Sequence, residues 1–285
     1  MKRSENTGGK GVIRPRQWWM HSVRWPWLAN IGSDGVIRPQ LAAGFILLVV
    51  WEVGVRAGNI PAYILPAPSQ VAVSLAANLP LIAAHTRVTL YEAMVGFVIA
   101  VVFSFVTAFV MDSIPIVKKA LYPILVISQT VPIITIAPLF VIWFGYGLLP
   151  KVIVVSLVCF FPVVVSFMGG LESVDRDMFN LLKSMGASNM QIFRLLKLPG
   201  ALPSLFSGMK ISAAYSIMGA VIGEWLGAKA GLGEFMRRSM HSFAVDKTFA
   251  AIIVITVLSL GVFELIRLLE GYFMPWTKFA DQKND

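Results

Sequence analysis

Residues that commonly carry out chemistry are few and scattered in this chain. There are three histidines, His21, His85 and His241, and one cysteine, Cys159. No histidine stands beside a plausible nucleophile, and no His-Glu-x-x-His or Gly-x-Ser-x-Gly pattern occurs. Cys159 has no Cys or His companion at metal-ligand spacing, and a lone thiol cannot close an internal disulfide. Within its apolar run it reads as a small buried hydrophobe. A Gly-x-x-x-x-Gly-Lys-Ser/Thr loop is also missing, so the usual cradle for nucleotide phosphates is not expected. Catalysis, a metal centre and a bound cofactor are therefore not expected of this chain.

The remaining polar residues suit passage of a solute better than its conversion. Ser128, Gln129 and Thr130 are followed by Pro132, Thr135 and Pro138 in a run without charge. Prolines free backbone carbonyls in a membrane helix, and nearby Ser and Thr can satisfy them again. Gln129, Thr130 and Thr135 are candidates to line a path with neutral hydrogen-bonding groups; the plainer reading is a structural kink. Ser212 and Ser216 stand in a row with Gly208 and Ala220, beside a second row of Gly219, Gly223 and Gly227. Small residues four apart let helices approach closely in lipid. Packing explains both rows, and a pathway role for Ser212 and Ser216 would be additional. Glu224-Trp225 ends the same stretch. A carboxylate there must face water, protein or a cavity, either as an interfacial group or as a gate or substrate contact at the outer mouth. Glu52, Glu92, Lys210 and Glu264 are expected to be interfacial or paired.

The elements that must position these residues are membrane spans. The chain is 57% hydrophobic and 14% charged, against about 25% charged in an average soluble domain. Its charges cluster between apolar runs of bilayer length. Six spans are read: residues 41–55, 88–111, a kinked 121–144, 152–171, 205–226 and 248–272. Residues 1–39 are basic and Trp-rich, with no apolar core that a cleavable signal would need. They are expected to be a cytoplasmic tail, residues 40–276 the membrane domain and 277–285 a second cytoplasmic tail. Basic loops favour the cytoplasmic side. The +9 net charge is read in that way and not as nucleic-acid binding, since no basic face alternates with stacking aromatics. Lys229, Arg237, Arg238 and Lys247 conflict with this topology, because they would lie outside.

The polar stretch between the fourth and fifth spans, residues 172–204, holds the most structure. Val174, Met178, Leu181, Leu182 and Met185 recur at helical spacing. Gly186 suits a left-handed helix end. Ser188 and Gln191 have capping-box spacing for a second helix. Pro199 and Pro203 are expected to bound the segment that follows. A hairpin of two short helices on a loop could dock on a partner and pass rigid-body motion to the spans; an ordinary helical loop is the alternative.

This hairpin resembles the loop of binding-protein-dependent ABC importer permeases. Their motif is E-A-A, three residues, G, nine residues, then I-x-L-P. Here Gly186 is followed by nine residues and then Leu196, Lys197, Leu198 and Pro199. The opening triplet departs, with Asn180, Leu181 and Leu182. The runs LPAPSQV, TVPIITIAPLFVIWFGYGLLPK and FFPVVVSFMGGLESVDRDM are similar to the sulfonate, taurine and nitrate branch. The run YSIMGAVIGEWLGAKAGLG is nearer to permeases for pyrimidine precursors of thiamine, and for riboflavin. The resemblance covers about residues 60–276.

It implies an all-α, polytopic fold of the type I ABC importer (MetI-like) class, in the cell membrane with both termini cytoplasmic. It also implies an ATPase-coupling loop formed by Asn180, Leu181, Leu182, Lys183, Ser184, Met185, Gly186, Ala187 and Ser188, with Leu198 and Pro199. The implied partners are two ABC ATPase subunits that bind the ATP, a second permease copy and an extracytoplasmic solute-binding protein. An ion-coupled secondary transporter is the rival class. It would call for ionisable groups near mid-membrane and often paired repeats of spans; neither stands out.

Overall fold

The computed structural model describes residues 37–275, so nearly all of both expected tails lies outside the described residues. Helix α1, Ile37–Ala57, carries the first predicted span. Leu41, Phe45 and Leu47 are exposed along it. A short helix α2, Pro68–Ala77, opens on a proline, whose fixed φ suits the first turn.

The long helix α3, Leu79–Ser113, also has proline in its first turn. It ends where Pro115 begins the next helix. Helices α4, Pro115–Ser128, and α5, Ile133–Phe144, are separated by the break at residues 129–132. Gly145, at φ +75°, ends α5, and α6, Leu148–Glu172, follows. The hairpin contains α7, Arg176–Ser184, and α8, Asn189–Ile192. One turn of π-helix, Phe193–Lys197, leads into α9, Leu198–Trp225. Helices α10, Leu232–His241, and α11, Val245–Phe273, complete the order.

Among the described residues, four stretches are long and apolar enough to cross a bilayer: Leu79–Ser113, Leu148–Glu172, Asn189–Trp225 and Val245–Phe273. At about 1.5 Å per residue, each exceeds the roughly 30 Å hydrocarbon core. The α4–α5 pair meets the same test only as a unit and is bent by 101°. The kinked span expected at residues 121–144 is thus a pair of helices, sharply broken at residues 129–132. Pro132 has no N–H to continue the helix of α4, and the chain turns sharply there. Pro203 was expected to bound a segment, yet α9 runs through it. The wider π turn ends at Lys197, with Leu198 between it and Pro199, which also lacks the N–H for an α-helical ladder.

Helix α6 lies between α3 and α9 and supplies much of the core. Val155, Cys159, Val163 and Phe167 on α6 are fully buried, with Ala93 and Ala100 from α3 and Ala213, Ile217 and Ala220 from α9. Cys159 is thus the small buried hydrophobe its surroundings implied. By contrast Val98, Val102 and Phe103 on α3, and Val257, Leu260 and Leu268 on α11, are more than half exposed. Apolar surface of that kind is what a lipid-facing helix presents.

Candidate functional site

The hairpin is built by local chemistry. Asp175 caps α7, its Oδ1 accepting from the backbone N–H of Asp177 at 2.7 Å and of Met178 at 3.4 Å. At the other end the N–H of Ala187 donates to the Leu182 carbonyl, and that of Gly186 to Lys183. With Gly186 at φ +83°, this is a Schellman closure. The capping box follows: Ser188 N–H donates to Gln191 Oε1 at 2.8 Å, and Gln191 N–H to Ser188 Oγ at 3.3 Å. Helix α7 leaves Met178, Leu181 and, just past its end, Met185 exposed in one stripe, while Leu182 is half-buried. Asn180, Lys183, Ser184 and Ser188 are exposed around them; Ala187 and Leu198 are half-buried and Pro199 is exposed. The hairpin thus presents an apolar stripe ringed by polar groups.

The bend between α4 and α5 exposes Gln129, Thr130 and Thr135. Thr130 and Thr135 donate their hydroxyls to the carbonyls of Ile127 and Pro132, each at 2.7 Å. The same two carbonyls also accept from the backbone N–H groups of Thr130 and Thr135, so the hydroxyls reinforce these turns. Gln129 instead lines an open cavity of about 450 Å³ with Ser128, Pro132, Phe161, Tyr215 and Met218. No charged side chain contributes to its wall.

Ser212, Ser216 and Glu224, read above as pathway candidates, are fully buried within the protomer. Ser212 Oγ donates to the Cys159 carbonyl at 2.8 Å, and Ser216 Oγ to the Ala213 carbonyl at 2.8 Å. The small residues of α9 seat it against α6: a Cβ on Gly208 would lie 2.8 Å from the Pro162 carbonyl oxygen, and one on Gly219 3.2 Å from Val155 Cα. Trp225 points outward and is 42% exposed.

Glu224 belongs to a polar knot that the sequence did not reveal. Its Oε1 accepts from Thr89 Oγ1 on α3 at 2.7 Å, and its Oε2 from the Gly233 N–H at 2.5 Å. Thr89 Oγ1 in turn accepts from the Leu232 N–H, and His85 Nδ1 from the Gly231 N–H. Three consecutive N–H groups at the start of α10 are thus held by α3 and α9. A carboxylate there also meets the positive end of the helix dipole. Close by on α3, Glu92 pairs with Lys151 of α6 at 2.5 Å, with Lys151 only 12% exposed. Lys210 pairs with Glu270, and Glu264 with Arg267; Lys210 and Glu264 were both expected to be interfacial or paired.

The basic residues that conflicted with the topology lie on and beside α10, at the end of α9 away from the hairpin. Glu234 offsets two of them, pairing with Arg237 at 2.6 Å and Arg238 at 3.1 Å. Burial pushes the Glu234 carboxyl up, but hydrogen bonds and charge from the two arginines outweigh it and hold it below the usual carboxylate range.

Residues 100–273 match the family described as binding-protein-dependent transport system inner membrane component. The chain is 38% identical over 234 residues to the formylaminopyrimidine transport permease protein ThiX of Halalkalibacterium halodurans, covering 82% of this chain and 93% of that one. It is 33% identical to the riboflavin transport system permease protein RibX of Chloroflexus aurantiacus, covering 81% and 87%. Among solved structures, an amino acid ABC transporter chain superposes with a TM-score of 0.57 at 17% identity, over 70% of this chain and 96% of that one. That likeness concerns the fold.

Proposed function

Because this chain belongs to the family of binding-protein-dependent transport system inner membrane components, we propose that it carries a pyrimidine precursor of thiamine across the cell membrane. The chain is a permease subunit of an ABC importer. The pyrimidine solute is supported by a relative 38% identical over most of both chains that bears the name of a formylaminopyrimidine permease. It is also supported by the cavity at the α4–α5 bend. Gln129, Ser128 and the aromatic rings of Phe161 and Tyr215 suit a planar, neutral, hydrogen-bonding solute. A sulfonate or nitrate would call for a cation there. Riboflavin is the second reading, favoured by the 33% identical riboflavin permease.

The mechanism begins at the hairpin, the observation on which this reading stands. Its exposed Met178, Leu181 and Met185 would seat in a groove of an ATPase subunit. Two permease copies would pair around a central path. An external binding protein would deliver solute at the α10 end. ATP-driven closure of two ATPase subunits would draw the hairpins together and open the path outward; hydrolysis would reopen it inward. Hydrolysis itself would occur on the ATPase subunits. The hairpin end, and with it both chain termini, is assigned to the cytoplasm.

The test is reconstitution of the purified complex in liposomes with its binding protein. Uptake of labelled formylaminopyrimidine that needs ATP and is not diluted by excess taurine is expected. Uptake driven by an ion gradient in the absence of ATPase would overturn the importer mechanism. ATP-dependent uptake of riboflavin in preference to the pyrimidine would overturn only the solute assignment.

A further inference from the structure

We propose that Asp112 is a positioning residue for transport: through Lys197 it ties the hairpin to the end of α3, so that hairpin motion enters α3 as well as α9. This rests on the reading of the hairpin as the ATPase dock.

The hairpin is joined covalently to α6 and, through the π turn, to α9. It has no such joint to α3, since Asp112 and Lys197 stand 85 positions apart. The link is made by side chains. Lys197 Nζ donates to both carboxylate oxygens of Asp112, at 2.7 and 2.9 Å. The two side chains are 21% and 13% exposed, so solvent screens them less than it would a surface pair. The same ammonium lies 5.7 Å from the ring centroid of Phe179 on α7, within reach of a cation–π attraction. One charge therefore meets the end of α3, the π turn and the hairpin's first helix. One turn back on α3, Phe109 packs edge-on against Phe193 of the π turn, with centroids 4.9 Å apart.

These contacts do not fill the space. A cavity of about 360 Å³ remains among Phe109, Asp112, Phe179, Met190, Phe193 and Lys197. Beside the cavity, Ala108, Met111, Phe109 and Phe193 share one apolar cluster, and the ion pair adds a directional, charged strut to that packing. Another pair at this end, Lys118–Glu172, is 37% and 47% exposed, where such pairs contribute little. The π turn that holds Phe193 and Lys197 is a form that recurs at functional sites in helices.

The experiment uses the full complex with spin labels at Val106 on α3 and Ser184 on the hairpin. In the unmodified chain, the distance between labels should be the same with and without ATP, because the two move as one body. In Asp112→Asn it should shift or broaden with ATP. That variant should also import at least fivefold less formylaminopyrimidine per ATP hydrolysed, while keeping its ATPase subunits. The exchanged pair Asp112→Lys/Lys197→Asp should restore a constant distance. If Asp112→Asn does not accumulate in the membrane, Lys197→Met is read in its place. A label distance that changes with ATP in the unmodified chain would overturn the proposal, as would an unaltered one in Asp112→Asn. So would failure of the exchanged pair to restore it. Absence of any ATPase from the unmodified complex would instead overturn the docking reading of the hairpin beneath it.

Discussion

The carboxylate of Glu224 fills the space that a side chain on Gly231 would need. A Cβ built on Gly231 would collide with the Glu224 carboxyl carbon and both its oxygens. Gly231 is also at φ +122°, a conformation that side chains resist. The glycine thus lets α10 begin directly on the α9 carboxylate. Replacing Gly231 with Ala should cost about 1–3 kcal/mol in backbone strain alone. Loss of hydrogen bonds from the displaced carboxylate would add to this. Because both changes strike one knot, Gly231→Ala and Glu224→Ala should combine to less than their sum. Thermal unfolding of the four forms in detergent measures this, and strict additivity would refute the shared knot.

At Gly186 the demand is conformational only. Its φ is +83°, yet a Cβ there would meet nothing within 4 Å. Asn, which visits the left-handed region more readily than most residues, should therefore be milder than Ala, and Ala milder than Val. The order should appear in ATPase retained on purification and in uptake, with insertion intact in all three. Equal retention by Val and Asn would show that the turn geometry is not what the partner reads.

Packing between α6 and α9 sets a different test. Gly208→Leu would force a side chain into the Pro162 carbonyl and Ser166. Overpacking of this kind costs about 1–3 kcal/mol or more. Gly169→Leu, with nothing within 4 Å of its Cβ, should fold normally. Membrane yield and melting temperature compare the two directly.

The Glu92–Lys151 pair is nearly enclosed, with side chains 3% and 12% exposed. Lys151→Met leaves a buried carboxylate without its partner, a loss of about 3–5 kcal/mol. Adding Glu92→Leu should recover much of it, since a well-packed apolar pair can replace an ionic one. If the double variant is as unstable as the single, the pair has a role beyond mutual neutralisation.

Gln129 should behave unlike all of these. It is exposed at the helix break and lines the neutral cavity. Gln129→Ala should change stability by no more than about 0.5 kcal/mol and still lower the uptake rate several-fold. Thr130→Val and Thr135→Val remove hydroxyl bonds to backbone carbonyls at the bend, so their effect should show in melting as well as in uptake.

Sequence alone determined what is periodic or local. Unbroken apolar runs specify helices of bilayer length. The order of Asp175, Gly186, Ser188 and Gln191 writes the hairpin, because caps and turns are made by neighbours. Small residues four apart on α9 announced close packing. Three things needed the tertiary structure. The 101° break at residues 129–132 depends on how α4 and α5 are held, since a proline permits a kink without setting its angle. The fates of Ser212, Ser216 and Glu224 depended on which face α9 turned toward α6. Finally, Asp112 with Lys197 and Thr89 with Glu224 join groups 85 and 135 positions apart. Pairing at such range leaves no pattern in one sequence, because it arises only when separate helices are packed side by side.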